Sequence, residues 1–395
     1  MKNIRTFLGL RMTKILPYEQ AVHLFSLMSE YYDGFENIEK YLWESKAEKM
    51  QDYKSSLPGT SMGDMFFQDW SIHPKDFKIS IHVSRPEMFD QSLELVTSHA
   101  IQHSIPGRSM RVQVMEETTG TSLGFIRLGS PVINLKPRNN WLEQPLSTKN
   151  VKMMRRFNDS SMMGFIIVPT QPFGFNYLGG KLLAAICCSH EIKTMVDNKY
   201  NMNLCHFETT SLYGTTKSIS QYDGMKPFLR YKGNTESDFL PMINGVYWNR
   251  LLDQAETYYG EELVPQGVTS RKMKQQQKIV SLIVASVKKH AGSSDAFKVH
   301  SMHIGGAFDR WKGLTEKKRV YFSDYGYSNV KEYLTMQTDK LEEKKEVFAR
   351  HSMKNVIEWW KNKAGTRYEK LIKSESLRTK LELWNENPEE IDIIR

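Results

Sequence analysis

Residues 163–214 read MGFIIVPTQPFGFNYLGGKLLAAICCSHEIKTMVDNKYNMNLCHFETTSLYG. Their order predicts a strand, a glycine-bearing turn, a helix and a second strand. Gly164–Pro169 is a short apolar run of the kind a buried strand needs. Gly179-Gly180 then opens a helix with apolar positions at Leu182, Leu183, Ile186 and Cys187. A helix start presents free N–H groups at the positive end of its dipole, an arrangement that cradles anions, phosphate above all. The same two glycines would equally serve a tight turn or close helix packing.

Working outward, Met110–Glu116 and Ser122–Gly129 flank Glu117-Thr-Thr-Gly-Thr121 and predict an antiparallel hairpin. Before it, Pro86–His103 carries Met88, Leu93, Leu95, Val96 and Ile101 among polar residues, an amphipathic helix. After the glycine turn, His206-Phe-Glu-Thr-Thr210 reads as a strand with His206 and Glu208 on one face. Helix, hairpin, strand, glycine turn, helix and strand together predict an α/β (α+β) protein with a mixed central sheet flanked by helices.

At Ile166-Ile-Val-Pro-Thr-Gln171 and Tyr177-Leu-Gly-Gly-Lys-Leu-Leu183 the chain resembles the GNAT superfamily of N-acetyltransferases. There a valine-rich strand leads into a phosphate-binding loop and a helix begun by leucines. Here Pro172–Tyr177 makes the loop longer than that pattern. The blocks Leu123–Pro131, Phe207–Gly214 and Tyr222–Thr235 are similar to a family found in phages and in the first subunit of Druantia antiphage systems, over roughly residues 85–330. Phage Mom-type DNA modification enzymes are a more distant likeness through the acetyltransferase-like core.

These resemblances imply acetyl-CoA, or another acyl-CoA, as donor. Ile167 and Val168 would meet the thioester arm, and Gly179, Gly180, Lys181 and Leu182 the pyrophosphate. Acyl transfer needs an amine in line with the carbonyl, donors for the oxyanion and a sink for a proton. Glu208 is then the expected general base and His206 the reserve, while either residue would equally serve as a paired structural group. Tyr213, Tyr222 and Tyr231 are candidate acids for the leaving thiolate. No metal site is expected, because His300 and His303 have no further ligand at a recognisable spacing.

The 395 residues carry a net charge of +9, and the surplus is uneven. Residues 270–380 hold 25 Lys+Arg against 12 Asp+Glu, while 381–395 hold 1 against 5. A basic C-terminal third suits a polyphosphate, and DNA is the expected partner. The candidate contacts are Arg271, Lys272, Lys274, Arg310 and Lys312, with Arg230 and Lys232 beside Tyr231. Arg138, Arg155 and Arg156 form a second patch in the insertion 131–158. Aromatics near Arg310 and Lys317–Arg319 would stack on unpaired bases or pack in a core.

No apolar run approaches the roughly 20 residues of a membrane span, and the start lacks a signal-peptide cleavage pattern. A cytoplasmic protein without a membrane partner is expected, with phage or defence-complex proteins as further partners. Cys187, Cys188 and Cys205 sit in apolar segments and read as packing residues. Three segments are expected: an N-terminal helical element and connector (1–74), an acetyltransferase-like core (75–260) and a basic helical and β extension (261–395). Residues 328–363, free of glycine and proline, predict a long helix, and the acidic tail from Glu382 a frayed end. If the longer loop has cost the fold its donor site, the alternative is a non-catalytic nucleic-acid-binding module of a defence or phage assembly.

Overall fold

The computed structural model describes residues 14–51, 53, 62–100, 107–144, 146, 149–212, 219–235, 240–268, 270–315, 317–385 and 388–393. The chain is mixed α/β and divides into two compact units. One comprises Met1–Glu48 and Ser237–Glu316, the other Lys49–Glu236 and Lys317–Arg395. This partition crosses the segments 1–74, 75–260 and 261–395, because two of the sheet's pairings reach past residue 316.

The first elements among the described residues are α1 (Tyr18–Tyr32) and α2 (Ile38–Gln51). The larger unit follows with β1 (Ile79–Val83), α3 (Pro86–Val96), β2 (Ser109–Glu116), β3 (Thr121–Gly129), α4 (Lys136–Leu142), α5 (Val151–Asn158) and β4 (Ser161–Pro169). Next come α6 (Phe173–Tyr177), α7 (Gly179–Cys187), α8 (His190–Tyr200), β5 (His206–Ser211) and β6 (Arg230–Asn234). The smaller unit resumes with α9 (Gly245–Tyr259), α10 (Arg271–Ala291) and α11 (Asp295–Lys312). Last are β7 (Arg319–Ser323), α12 (Val330–Leu334), α13 (Lys345–Arg350) and α14 (Met353–Lys373).

The seven strands form one open sheet in the order β1-β2-β3-β4-β5-β7-β6. The hairpin stands where its turn chemistry puts it, with the Glu116 carboxylate accepting from the Thr119 amide at 2.7 Å and its hydroxyl at 3.0 Å. In β2 burial alternates, so Met110, Val112 and Val114 all face the core.

Strand β4 is antiparallel to β3 and parallel to β5, the only parallel pair among the described strands. That pairing covers Ser161–Gly164 against His206–Thr209 and ends there. The β3–β4 register slips at the next residue, with Gly164 opposite Leu128 and Ile166 opposite Arg127, leaving Phe165 as the extra residue of a bulge. Strands β4 and β5 therefore part at Phe165, and among the described strands Ile166–Pro169 keep β3 alone as a partner.

Helix α7 is buried along nearly its whole length, against β3 and β4 on one side and α14 on the other. Trp360 of α14 donates its indole N–H to the Tyr177 carbonyl at 2.8 Å. On another side of the sheet Phe89 and Leu93 of α3 pack with Phe125 and Ile166, joined there by Leu381 and Leu383. The acidic tail is thus docked rather than frayed. The Trp384 amide bonds the Leu95 carbonyl at 3.0 Å and its indole the Thr97 carbonyl at 2.5 Å.

Residues 328–363 do not form the expected single helix. Asn329 binds the Lys340 carbonyl and the Glu342 amide, both at 2.9 Å, and Tyr327 pairs with Glu343. These contacts hold 340–343 out of a helix, and Ser352 then caps a new helix by accepting from the Asn355 amide.

The smaller unit is helical. Leu24 and Met28 of α1, Leu251 of α9, Ile279 and Leu282 of α10, and Ile304 and Phe308 of α11 share one core. Trp311 stacks on Phe25 and Tyr32 and gives its indole N–H to Asp33 at 2.8 Å. The aromatic cluster of residues 308–311 is therefore a core, not a free stacking surface.

Candidate functional site

The glycine turn is packed from within. A Cβ on Gly179 would stand 2.6 Å from the Phe173 ring, and one on Gly180 would run into the Gln221 side chain. Lys181 turns its ammonium to the backbone carbonyls of Gln221 (2.9 Å) and Asp223, and burial holds its pKa below the usual lysine value. Leu182 is wholly buried, Ile167 nearly so, and Val168 is half-buried. Close packing requires glycine at both positions.

Glu208 stands on β5 with neither it nor Arg138 exposed, and their side chains meet at 2.7 Å. Arg138 comes from α4 in the insertion. Its guanidinium also donates to the Ile133 carbonyl at 2.5 Å and lies 4.6 Å over the Phe157 ring, while its Nε finds no partner among the described residues. Burial lowers the Arg138 pKa and Glu208 opposes the shift. His206 reaches the second Glu208 oxygen at 3.3 Å and stacks on Trp141 at 5.4 Å. Arg138 is thus corrected from a nucleic-acid contact to a sealed ion-pair partner.

The tyrosines do not join this group. Glu208 pairs with Phe322, whereas Tyr231 pairs with the adjacent Tyr321, so Glu208 and Tyr231 lie on opposite faces of the sheet. Tyr231 is 47% exposed, binds Asn234 at 2.9 Å and carries the Arg319 guanidinium 4.5 Å over its ring. Tyr222 is buried edge-on to Tyr321. Tyr213 lies outside the described residues.

Most of the basic candidates already have work inside the fold. Arg230 pairs with Asp324, Arg156 with Asp339 at 2.6 Å, Lys312 with Asp309 at 3.0 Å, and Arg271 with Glu262 at 3.1 Å. Lys232 lies over Trp141 and Lys272 over Trp248, and burial lowers the pKa of each. Arg155 is largely exposed, 3.7 Å from Asp159.

Lys274 and Arg310 are exposed without a side-chain partner among the described residues. Lys274 belongs to a pattern that the site residues drawn from the sequence left incomplete. Helix α10 carries six Lys/Arg and no Asp or Glu. Its core face holds Ile279, Leu282, Ile283 and Val287, while Lys274, Gln277, Ser281, Lys288 and Lys289 face outward. Lys274 to Lys288 spans about 21 Å at the helical rise. The spacing of 274, 277, 281 and 288 is the signal that identifies this face in the sequence.

The fold and its surfaces define a mixed α/β protein with a sealed charge cluster in one unit and a cationic helix in the other. Residues 33–222, a little under half of the chain, match the family model described as Druantia protein DruA. The match supports the link to the first subunit of Druantia antiphage-defence systems, and it ends before α10. No curated protein and no solved structure matches the chain. No described helix is long and apolar enough to cross a membrane.

Proposed function

We propose that the chain is a nucleic-acid-binding protein, DNA being the favoured partner, that works within an antiphage-defence assembly. The observation that carries this reading is α10, whose outward face presents lysines without a side-chain partner among the described residues along about 21 Å, with no acidic residue on the helix. Such a face binds a phosphate backbone by releasing counterions, and the core on its opposite side holds it rigid. The defence context draws on the family match over residues 33–222.

The test is fluorescence anisotropy with labelled duplex and single-stranded oligonucleotides over a range of salt concentrations. The Lys274→Ala/Lys288→Ala/Lys289→Ala variant is expected to reduce the log–log salt slope by about 2 to 3. An unchanged slope and affinity in a variant that melts like the parent would refute the assignment.

A second reading, acyl transfer from a coenzyme A thioester, draws on the parting of β4 from β5. Backbone groups of Ile166–Val168 face away from β3 with no second strand on them among the described residues. A thioester arm hydrogen-bonded there is the arrangement this reading needs. Against it stand the filled glycine turn and the sealed Glu208. Calorimetric titration with acetyl-CoA decides it, and saturable binding would revive the enzyme.

A further inference from the structure

Arg127 is a buried cation without an anion of its own. It stands on β3 with 2% of its surface exposed, and no carboxylate pairs with it among the described residues. Its Nε donates to the Ser109 hydroxyl at 3.2 Å, and its buried Nη1 has no hydrogen-bond partner among the described residues. A guanidinium does not shed its proton in a protein, so the cost of burial is not relieved by neutralisation. Burial and the neighbouring Arg111 hold its pKa below the usual arginine value, with Asp90 opposing them.

The neighbour on β2 adds to the excess. Arg111 stands directly opposite Arg127 in the β2–β3 register, so both side chains rise from one face of the sheet, where like charges repel. Asp90 of α3 answers one of the two, its oxygens taking Arg111 Nε at 3.1 Å and Nη2 at 2.9 Å. Two guanidiniums against one carboxylate leave a net positive charge. Ser109 lies two residues before Arg111 on β2 and shares its face. Its hydroxyl accepts from Arg127 and still has a proton to give, as has Arg111 at Nη1. Donors from three residues are thus gathered where one negative charge is wanting. A carboxylate meets two such donors with its two oxygens, whereas phosphate has oxygens for all three.

We propose that Arg127, Arg111 and Ser109 form a binding site for a phosphate group, brought as free phosphate or as a terminal phosphate monoester. The side chains of Arg111 and Asp90 are 15% and 24% exposed, which opens the pair to solvent, while Arg127 is nearly sealed. A small anion or a chain end reaches that depth, and the middle of a nucleic-acid backbone does not. The site lies in the larger unit and owes nothing to α10, so its test stands apart from that of the cationic helix.

Thermal unfolding of the full chain in phosphate and in chloride at equal ionic strength tests this. In about 10 mM phosphate the parent's melting midpoint should rise by about 3 °C, and the rise should saturate with concentration as mass action requires. Arg127→Met keeps the length of the side chain and removes the charge. It should lose the response to phosphate and, in chloride, melt at or above the parent, because an unbalanced buried charge has gone. A parent that does not respond, a variant that responds as the parent does, or a variant less stable than the parent in chloride would overturn the proposal. Oligonucleotides with and without a terminal phosphate identify the carrier. Tighter binding of the phosphorylated one, lost in Arg127→Met, assigns the site to a nucleic-acid end. Equal binding of the two, with the response to inorganic phosphate intact, assigns it to free phosphate.

Discussion

Removing the Glu208 carboxylate strands a charge. Its partner Arg138 is wholly buried, its Nε is already without a hydrogen bond among the described residues, and the guanidinium would keep only the Ile133 carbonyl and the Phe157 ring. Breaking a buried pair by deleting one partner costs about 3–5 kcal/mol, because the other charge stays desolvated. Glu208→Ala is therefore expected to lose stability of that order. Glu208→Gln should lose less, since the amide oxygen still accepts from Arg138. The double replacement Arg138→Met/Glu208→Leu removes both charges and should regain most of the loss, as hydrophobic substitutes for buried pairs do. Urea unfolding followed by tryptophan fluorescence of the parent, Arg138→Met, Glu208→Leu and the double variant gives all four corners of the cycle, and a coupling of several kcal/mol is expected between the two sites. A loss under about 1 kcal/mol for Glu208→Ala would refute the sealed-pair account and reopen Glu208 as a reactive group.

Two further predictions follow from buried groups. His351 is wholly buried, its Nδ1 bonds the Cys188 carbonyl at 2.7 Å, and burial lowers its pKa to about 4. The unfolded chain takes up this proton near pH 6.5, so folding stability is full above that value and falls by about 3 kcal/mol as pH drops toward 4. Denaturation curves at pH 7 and pH 5 should separate for the parent and converge for His351→Gln; equal separation in both would refute the assignment. Burial pushes the Cys188 thiol up to about 12 and raises those of Cys187 and Cys205 as well. A thiol-specific chromophore at pH 8 should label these three cysteines only as fast as the chain unfolds, and prompt labelling of the native protein would count against the burial.

What the sequence made legible was local. The apolar run before Pro169, the Thr-Thr-Gly turn and the paired glycines each act within a few residues, and β4, the hairpin and the start of α7 stand where those signals put them. His206 and Glu208 fall on one face for the same reason, the period of a strand. The rest depended on partners distant in sequence. Arg138 meets Glu208 across 70 residues, and no local pattern separates a surface arginine from one bound for a buried carboxylate. Gln221 reaches Gly180 from a later loop, a contact that calls for glycine there and that no local pattern shows. Asn329 captures residues 340–342 and interrupts a segment with good helix propensity, which tertiary contacts override. The Ser352 cap was readable and marks where the helix resumes.

Strands β6 and β7 are antiparallel neighbours, and just beyond their ends the Thr235 amide bonds the Lys318 carbonyl at 2.7 Å while the Lys318 amide bonds the Thr235 hydroxyl at 2.8 Å. That is the closure a hairpin would make, yet the helical stretch Ser237–Glu316 stands between the two strands in sequence. During synthesis β5 and β6 must wait for β7. At about 5–20 residues per second, the delay from Ser211 to Arg319 is about 5 to 20 s. Over that interval the outer edge of β5 has no strand to pair with, and an unpaired edge invites pairing with other chains. If the intervening helices collapse first, they shorten the loop that must close and draw β7 toward β6. The order in which the parts fold would then decide whether the nascent chain completes its sheet or aggregates.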